Sequence, residues 1–128
     1  MLNAEKARKA LGVVRLVNGT VALVAPGKFL HLIGIDPERN KTATYVLRLF
    51  GIRTIFLGLD LLAGEGAPRE QAVRRAVFIH ATDTAAAVLA GATGALPARA
   101  AISGTVTSTV NTVLAVVARC SVAGPGQP

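Results

Sequence analysis

The longest uncharged stretch of the chain limits its fold most strongly. From Ala100 to Ala118 the sequence runs for about 20 residues without a charged side chain, which is the length of a helix that crosses a bilayer. The segment 105–117 is also rich in Thr and Val, which favour strands in water. A lone strand in a bilayer would leave its backbone polar groups unpaired. The stretch therefore predicts a transmembrane helix.

Three further apolar stretches precede this one, and prolines and glycines separate them. Pro68 and Pro97 lie where helices would begin, because proline is tolerated in a first helical turn. Asp36 before Pro37 is typical of a helix N-cap. These signals together predict helices over residues 9–25, 37–63, 68–91 and 98–119.

The predicted fold is therefore all-α, a single four-helix transmembrane bundle over residues 1–128. The apolar segment 28–33, which has a basic edge, is expected to lie along the outer membrane interface as a short segment after helix one. The end of the chain, 120–128, is expected to be a flexible tail because it is rich in glycine and proline.

The composition favours a membrane protein over other classes. Of the 128 residues, 52% are hydrophobic and 16% are charged, whereas an average soluble domain is about 25% charged. The alternative, a soluble four-helix bundle, needs a surface that is roughly 25–35% charged. The chain has no Trp, and its basic residues lie between the apolar stretches, so nucleic-acid binding is not expected. One Cys and two His leave no Cys-based zinc site, and we expect no cofactor.

The distribution of Lys and Arg predicts an orientation. With the N-terminus inside, the inner flanks hold seven basic residues and the outer flanks hold four. This difference predicts a multi-pass protein of the plasma (inner) membrane with both termini in the cytoplasm. The N-terminus is similar to a signal peptide, but Pro26 after the small-residue site should block cleavage, and Arg15 interrupts the apolar run. We expect an uncleaved first helix.

Seven polar residues interrupt the predicted spans at similar depth. Counted from the outer end of each helix at about 1.5 Å per residue, they fall in a slab roughly 9 Å thick near the bilayer centre. Charges at this depth are expensive and normally face a partner or a cavity. We call these residues the polar layer: Arg15, Asn18, Arg48, Arg53, His80, Asp83 and Asn111.

Opposite charges in the polar layer suggest ion pairs. Asp83 lies in depth between Arg48 and Arg53, and Asp83→Asn should then cost about 3–5 kcal/mol, as for other broken buried pairs. Asp60 and Arg74 match in depth at the cytoplasmic edge and form a second predicted pair. Such pairs can simply fix helix register.

Two functional interpretations of the same layer stay open. Three arginines outnumber the one aspartate, which would leave a cationic pocket for an anionic lipid or a small acid. His80 lies one helical turn from Asp83 and could move protons in an intramembrane enzyme.

Small residues recur at helical spacing in the predicted spans. Gly51 and Gly58 are two turns apart, so they share a face of helix two. Such faces permit close helix contact in lipid. We expect this face to pack inside the molecule rather than against a second copy.

Short motifs resemble a family of small four-helix membrane proteins that are common in actinobacteria (DUF4267-like). The segment Arg48–Gly58 is similar to the Gly-x-Arg-centred second helix of that family, although Thr54 stands where Asp is frequent. The segment His80–Ala87 resembles its Asp-Ala-x-Asp-Ala stretch, with His80 departing from the usual residue, and Leu11–Arg15 matches the first helix. The resemblance covers about residues 8–118. It implies the four-helix architecture and no known activity; DoxX-type proteins are similar in topology only.

The expected function follows from what the chain lacks. It has no nucleotide or metal motif, too few polar residues for a soluble domain, and several faces for helix packing. These features favour an accessory or scaffold subunit of a larger bacterial membrane complex, such as an envelope lipid transporter. The alternatives are a binder of an anionic lipid or small acid, and an enzyme that uses His80 and Asp83. Membrane lipids and other membrane proteins are the expected partners.

Overall fold

The computed structural model describes residues 2–120, which form five helices and no strand. The helices are α1 (Ala4–Val24), α2 (Pro26–Leu32), α3 (Lys41–Ala63), α4 (Gly66–Ala92) and α5 (Ala98–Cys120). The predicted tail lies outside the described residues except for Cys120, which is the last residue of α5.

Local chemistry explains where the helices α1 and α2 begin. The Asn3 side chain caps α1 by accepting a hydrogen bond of 2.9 Å from the Lys6 backbone N–H. Pro26 then occupies the start of α2, where its missing N–H costs nothing. The axes of the two helices differ by 110°. The segment expected to be an interfacial stretch is thus mostly a short, bent-back helix.

The start of α3 differs from its prediction. Asp36 does not cap a helix at 37, because its Oδ1 accepts a 3.0 Å hydrogen bond from the Glu38 N–H within a turn. The Asn40 side chain also donates to the Asp36 carbonyl at 3.1 Å. These bonds hold residues 36–40 as a turn, and the helix begins at Lys41.

The prediction of a four-helix transmembrane bundle is wrong. The described chain has five helices, and only α5 is by itself long and apolar enough to cross a membrane. The bent pair of α1 and α2 would qualify only as one broken span. Charges inside α1, α3 and α4, such as Arg15, Arg53 and Asp83, reduce their apolar character too far. The multi-pass topology inferred from the basic flanks therefore has no support.

Helix packing divides the molecule into two pairs. α1 packs mainly against α3, and α4 packs mainly against α5. Contacts between α1 and α5 join the pairs, whereas α3 and α4 meet less. A core of small and aliphatic residues lies at one end of this junction: Ala7, Leu11, Leu61, Val73, Ala76, Ala115 and Ala118.

The distribution of polar and apolar side chains is partly inverted. Large apolar residues such as Val17, Phe56 and Val106 are exposed on α1, α3 and α5. The interior holds polar side chains beside its apolar core, among them Arg15 and His80. A folded chain in water normally buries the first kind and exposes the second, so the exterior favours an apolar environment or a partner.

Candidate functional site

A cavity of about 360 Å³ lies where the two helix pairs meet. Its deep end is formed by buried side chains of α1, α3, α4 and α5, and its mouth by residues of α2 and by the beginning of α5. The volume falls within the range of pockets that bind small molecules. Most of its lining residues are polar or large and apolar, and they include Arg15, Asn18, Phe29, Leu32, Ile33, Phe50, Thr54, His80, Asp83, Arg99, Ser103, Thr107, Ser108 and Asn111.

Arg15 and His80 form the deepest contact of this cavity. The Arg15 side chain leaves α1 and donates from Nε to Nε2 of His80 on α4 at 3.1 Å. Its Nη2 lies 2.9 Å from the same nitrogen. The two residues are 4% and 1% exposed. This contact ties the first helix pair to the second through a hydrogen bond that carries a full positive charge.

The contact fixes the state of His80. A guanidinium only donates hydrogen bonds, so Nε2 must be an acceptor and the ring must be neutral. Nη2 of Arg15 also lies 3.2 Å from Nδ1 of the ring, and Nδ1 is 3.9 Å from the Asp83 carboxylate, too far for a hydrogen bond. Both ring nitrogens face charged neighbours, and neither is placed to abstract a proton. The geometry gives no support to an enzyme built on His80 and Asp83.

Two other polar side chains at the deep end have no protein partner. Asn111 and Thr54 are 6% and 2% exposed, and neither side chain makes a hydrogen bond within residues 2–120. No side-chain polar atom that is sealed inside the described chain lacks a partner. These amide and hydroxyl groups therefore open onto the cavity. Buried polar groups are normally hydrogen-bonded, so their arrangement suits a bound polar group.

The side of the cavity along α5 is lined by hydroxyl groups. Ser103, Thr107 and Ser108 face the cavity between Arg99 at the mouth and Asn111 at the deep end. Asn111 lies twelve positions after Arg99 on the same helix, which corresponds to about 18 Å. The cavity is accordingly elongated along α5.

Arg99 is a site residue that sequence reasoning placed on an outer flank. It is exposed at the start of α5, and its stem passes over Gly34, where an added Cβ would lie 3.4 Å from the Arg99 Cδ. Gly34 has a φ of +85°, which glycine adopts readily. The signal available in the sequence was the position of Arg99 just after Pro97 at a helix start.

The charges of the lining leave an excess of one positive unit. Arg15 and Arg99 are cationic, Asp83 is anionic, and His80 is neutral. The Asp83 side chain is 44% exposed, so water can reach it. Within residues 2–120, no carboxylate lies at ion-pair distance from Arg15 or Arg99. The site is thus suited to one negative charge.

The structure brings together five of the seven residues of the predicted polar layer. Arg15, Asn18, His80, Asp83 and Asn111 line the same cavity.

The remaining two, Arg48 and Arg53, are exposed on the outer side of α3 and do not line it. The predicted pairing of Asp83 with either arginine is wrong, because among the described residues neither arginine forms an ion pair. Counting residues gives depth along a helix but not the direction in which a side chain points.

The predicted pair at the cytoplasmic edge is also wrong. Asp60 and Arg74 form no ion pair within the described chain. Asp60 instead lines a smaller cavity of about 150 Å³ together with Arg75 and Arg15. Arg74 is exposed on a different side of α4.

Two further arginines have structural partners at this end. Arg8 is buried and donates from Nη1 to the Leu61 carbonyl. Arg69 donates from Nε to the Gly64 carbonyl. Both bonds lie at the C-terminal end of α3, where backbone carbonyls lack helical partners and positive charge is favourable. These arginines therefore stabilise the end of a helix.

Comparisons with known proteins identify no relative of this chain. No family model, curated protein or solved structure matches the chain significantly. The resemblance to the four-helix family through its short motifs is not tested by this result and stays a prediction.

Proposed function

We propose that the protein binds a small organic anion in the cavity between the two helix pairs. The observation that carries this proposal is that one cavity is lined by a buried cation, Arg15, and by the side chains of Asn111 and Thr54, which have no hydrogen-bond partner among the described residues. All three groups can donate hydrogen bonds to an anion in this cavity, and such charge-assisted bonds are the stronger kind. The single excess positive charge of the lining agrees with a ligand that carries one negative charge.

We further propose that binding takes place at a membrane, most simply the plasma membrane. α5 is long and apolar enough to cross a bilayer, and much of its exposed surface is aliphatic, including Ile102, Val106 and Val110. Lipid chains would cover such a surface without the cost that it has in water.

The proposal is tested with benzoate, a compact organic anion. Isothermal titration of the protein in amphipol should detect benzoate binding, and Arg15→Gln should weaken it by at least about tenfold, because a charged donor is lost. The matched control is Arg53→Gln, which removes the same charge from the outer side of α3.

Two results would count against this proposal. Wild-type protein that binds no carboxylate would reject it. Equal weakening by the two variants would show a general charge effect rather than a site. Because Arg15→Gln also removes a contact between helices, Asn111→Leu is measured beside it and should weaken binding while the helical circular dichroism stays that of the wild type.

A second candidate function, an accessory subunit of a membrane complex, is supported by the outer side of α3. Arg48 and Arg53 stand there among exposed apolar side chains such as Leu49, Ile52 and Phe56. A helix face that is apolar but contains two arginines suits a partner helix that supplies carboxylates. Replacing both arginines with Gln should release a co-purifying partner from native membranes, while the Arg15→Gln variant retains it.

A further inference from the structure

The two ends of the cavity differ in chemistry, and this difference identifies a class of ligand. Resting on the proposed function, we infer that the ligand is a monocarboxylate with an apolar chain, and that it binds with its carboxylate at the deep end and its chain at the mouth.

The deep end suits a carboxylate group. Arg15 uses Nε and Nη2 on His80, and its Nη1 makes no hydrogen bond to a described residue and is not sealed inside the chain. The side chains of Asn111 and Thr54 line the same cavity as Arg15 and supply further donors. A carboxylate has two oxygens and about four acceptor positions, enough to accept from all three groups.

The mouth suits a hydrocarbon chain. Phe29 and Leu32 of α2, Ile33 directly after it and Phe50 of α3 form its apolar part, and Leu32 is 70% exposed. The bend of 110° after α1 brings α2 across this end of the molecule. A chain that leaves the deep end would therefore cover apolar side chains that the protein itself leaves exposed.

The net charge of the lining favours a ligand with one negative charge over a ligand with two. A monocarboxylate neutralises the single excess positive unit that Arg15, Arg99 and Asp83 leave. Arg99 at the mouth attracts an anion from outside but stands beside the apolar side chains of α2 rather than at the deep end. A second carboxylate on the same ligand would add a charge without a matching cation.

The test compares butyrate, octanoate and dodecanoate, with dodecanol as the uncharged analogue. Affinity for the wild-type protein in amphipol should rise by more than about tenfold from butyrate to octanoate, because each additional buried methylene contributes to binding. Dodecanol should bind at least about tenfold more weakly than dodecanoate, because it lacks the charge that Arg15 recognises.

Two variants assign the ends of the ligand. Asn111→Leu at the deep end should weaken butyrate and dodecanoate by a similar factor. Leu32→Ser at the mouth should weaken dodecanoate and leave butyrate unchanged. The matched control is Val110→Ser on α5, which removes an exposed apolar side chain that does not line the cavity and should change neither affinity.

The outcomes separate this inference from the proposed function. Equal affinities for butyrate and dodecanoate, or a Leu32→Ser variant with reduced affinity for both, would contradict the binding of the apolar chain at the mouth. Either result would leave the proposed anion binding intact. Dodecanol that binds as tightly as dodecanoate would contradict the recognition of a carboxylate at the deep end, and with it the proposed anion site. No binding of any of the acids would reject both.

Discussion

The contact between α1 and α3 and the space between α1, α4 and α5 represent two ways of joining helices in one small chain. The first is closed by glycines: an added Cβ at Gly51 would lie 2.7 Å from the Gly19 carbonyl oxygen, and one at Gly58 would lie 2.9 Å from that of Gly12. The second is held open by long polar side chains, with Arg15 and His80 as the contact across it.

The difference separates a structural interface from a site. Backbones in direct contact leave no room for a ligand and depend on shape alone. Polar side chains that meet across a cavity leave hydrogen-bonding groups, such as that of Asn111, which the protein itself does not satisfy. If this comparison is right, substitutions on the first side change stability only, and substitutions on the second can change binding without changing stability.

The largest loss of stability is expected for His80→Leu. This change leaves Nε and Nη2 of the buried Arg15 guanidinium without their acceptor, which should cost about 3 kcal/mol of unfolding free energy. Combining it with Arg15→Met should recover part of that loss, because the stranded charge is removed. The exposed His31 provides the control, since His31→Leu should change stability by less than about 0.5 kcal/mol. If the losses of unfolding free energy in the two single variants simply add in the double variant, the contact between Arg15 and His80 is contradicted.

A loss of about 2 kcal/mol is expected for Gly51→Ala, in the range of overpacked interfaces. The new Cβ would meet backbone atoms of α1, which cannot move aside as a side chain does. Gly104→Ala on α5 is the matched control, because its Cβ would lie 3.5 Å from the Ala87 Cβ. That variant should be neutral or more stable, as alanine favours a helix over glycine. Thermal unfolding followed by circular dichroism measures both, and equal melting temperatures would refute the close crossing of α1 and α3.

Arg8→Met should cost about 1.5 kcal/mol, the usual size of a hydrogen bond from a charged group. The loss reflects the bond to the Leu61 carbonyl at the end of α3. Lys6→Met, an exposed position on the same helix, should have no such effect. Hydrogen exchange at the last turn of α3 would show whether the loss is local. Unchanged protection there in Arg8→Met would mean that the arginine does not cap this helix.

The smallest effect on stability is expected for Asp83→Asn. The carboxylate is partly exposed and makes no ion pair with Arg48 or Arg53, so the change should cost less than about 1 kcal/mol, not the 3–5 kcal/mol that buried pairing predicted. Octanoate should bind more tightly to this variant, because a like charge has been removed from the cavity. Weaker octanoate binding by a folded Asp83→Asn protein would contradict an anion site in which the Asp83 carboxylate repels the ligand.

Features that depend on position along the chain could be predicted from the sequence. Prolines and glycines mark helix limits directly, and α5 begins at Ala98 as the position of Pro97 indicates. The spacing of Gly51 and Gly58 predicted a face for packing within the molecule, and the contacts of both residues with α1 confirm it.

Features that depend on the direction of a side chain around its helix, or on contacts between distant residues, could not be predicted from the sequence. Depth alone grouped Arg53 with Arg15, although α3 turns Arg53 outward. The α2 helix was missed because its seven residues are too short for a periodic pattern. Nothing in the sequence distinguishes Asn111, which has no protein partner, from an amide that is satisfied by packing.

The most direct test of the account is the stability of Asn111→Leu with and without octanoate. If the Asn111 amide serves a ligand, the ligand-free variant should melt at the same temperature as the wild type or higher, because the amide makes no hydrogen bond to a described residue that the change could remove. Octanoate should then raise the melting temperature of the wild type, as any ligand of the folded state does, and raise that of the variant by clearly less. A ligand-free variant that melts at a clearly lower temperature, with an octanoate shift equal to that of the wild type, would show that Asn111 stabilises the fold and would contradict the binding site.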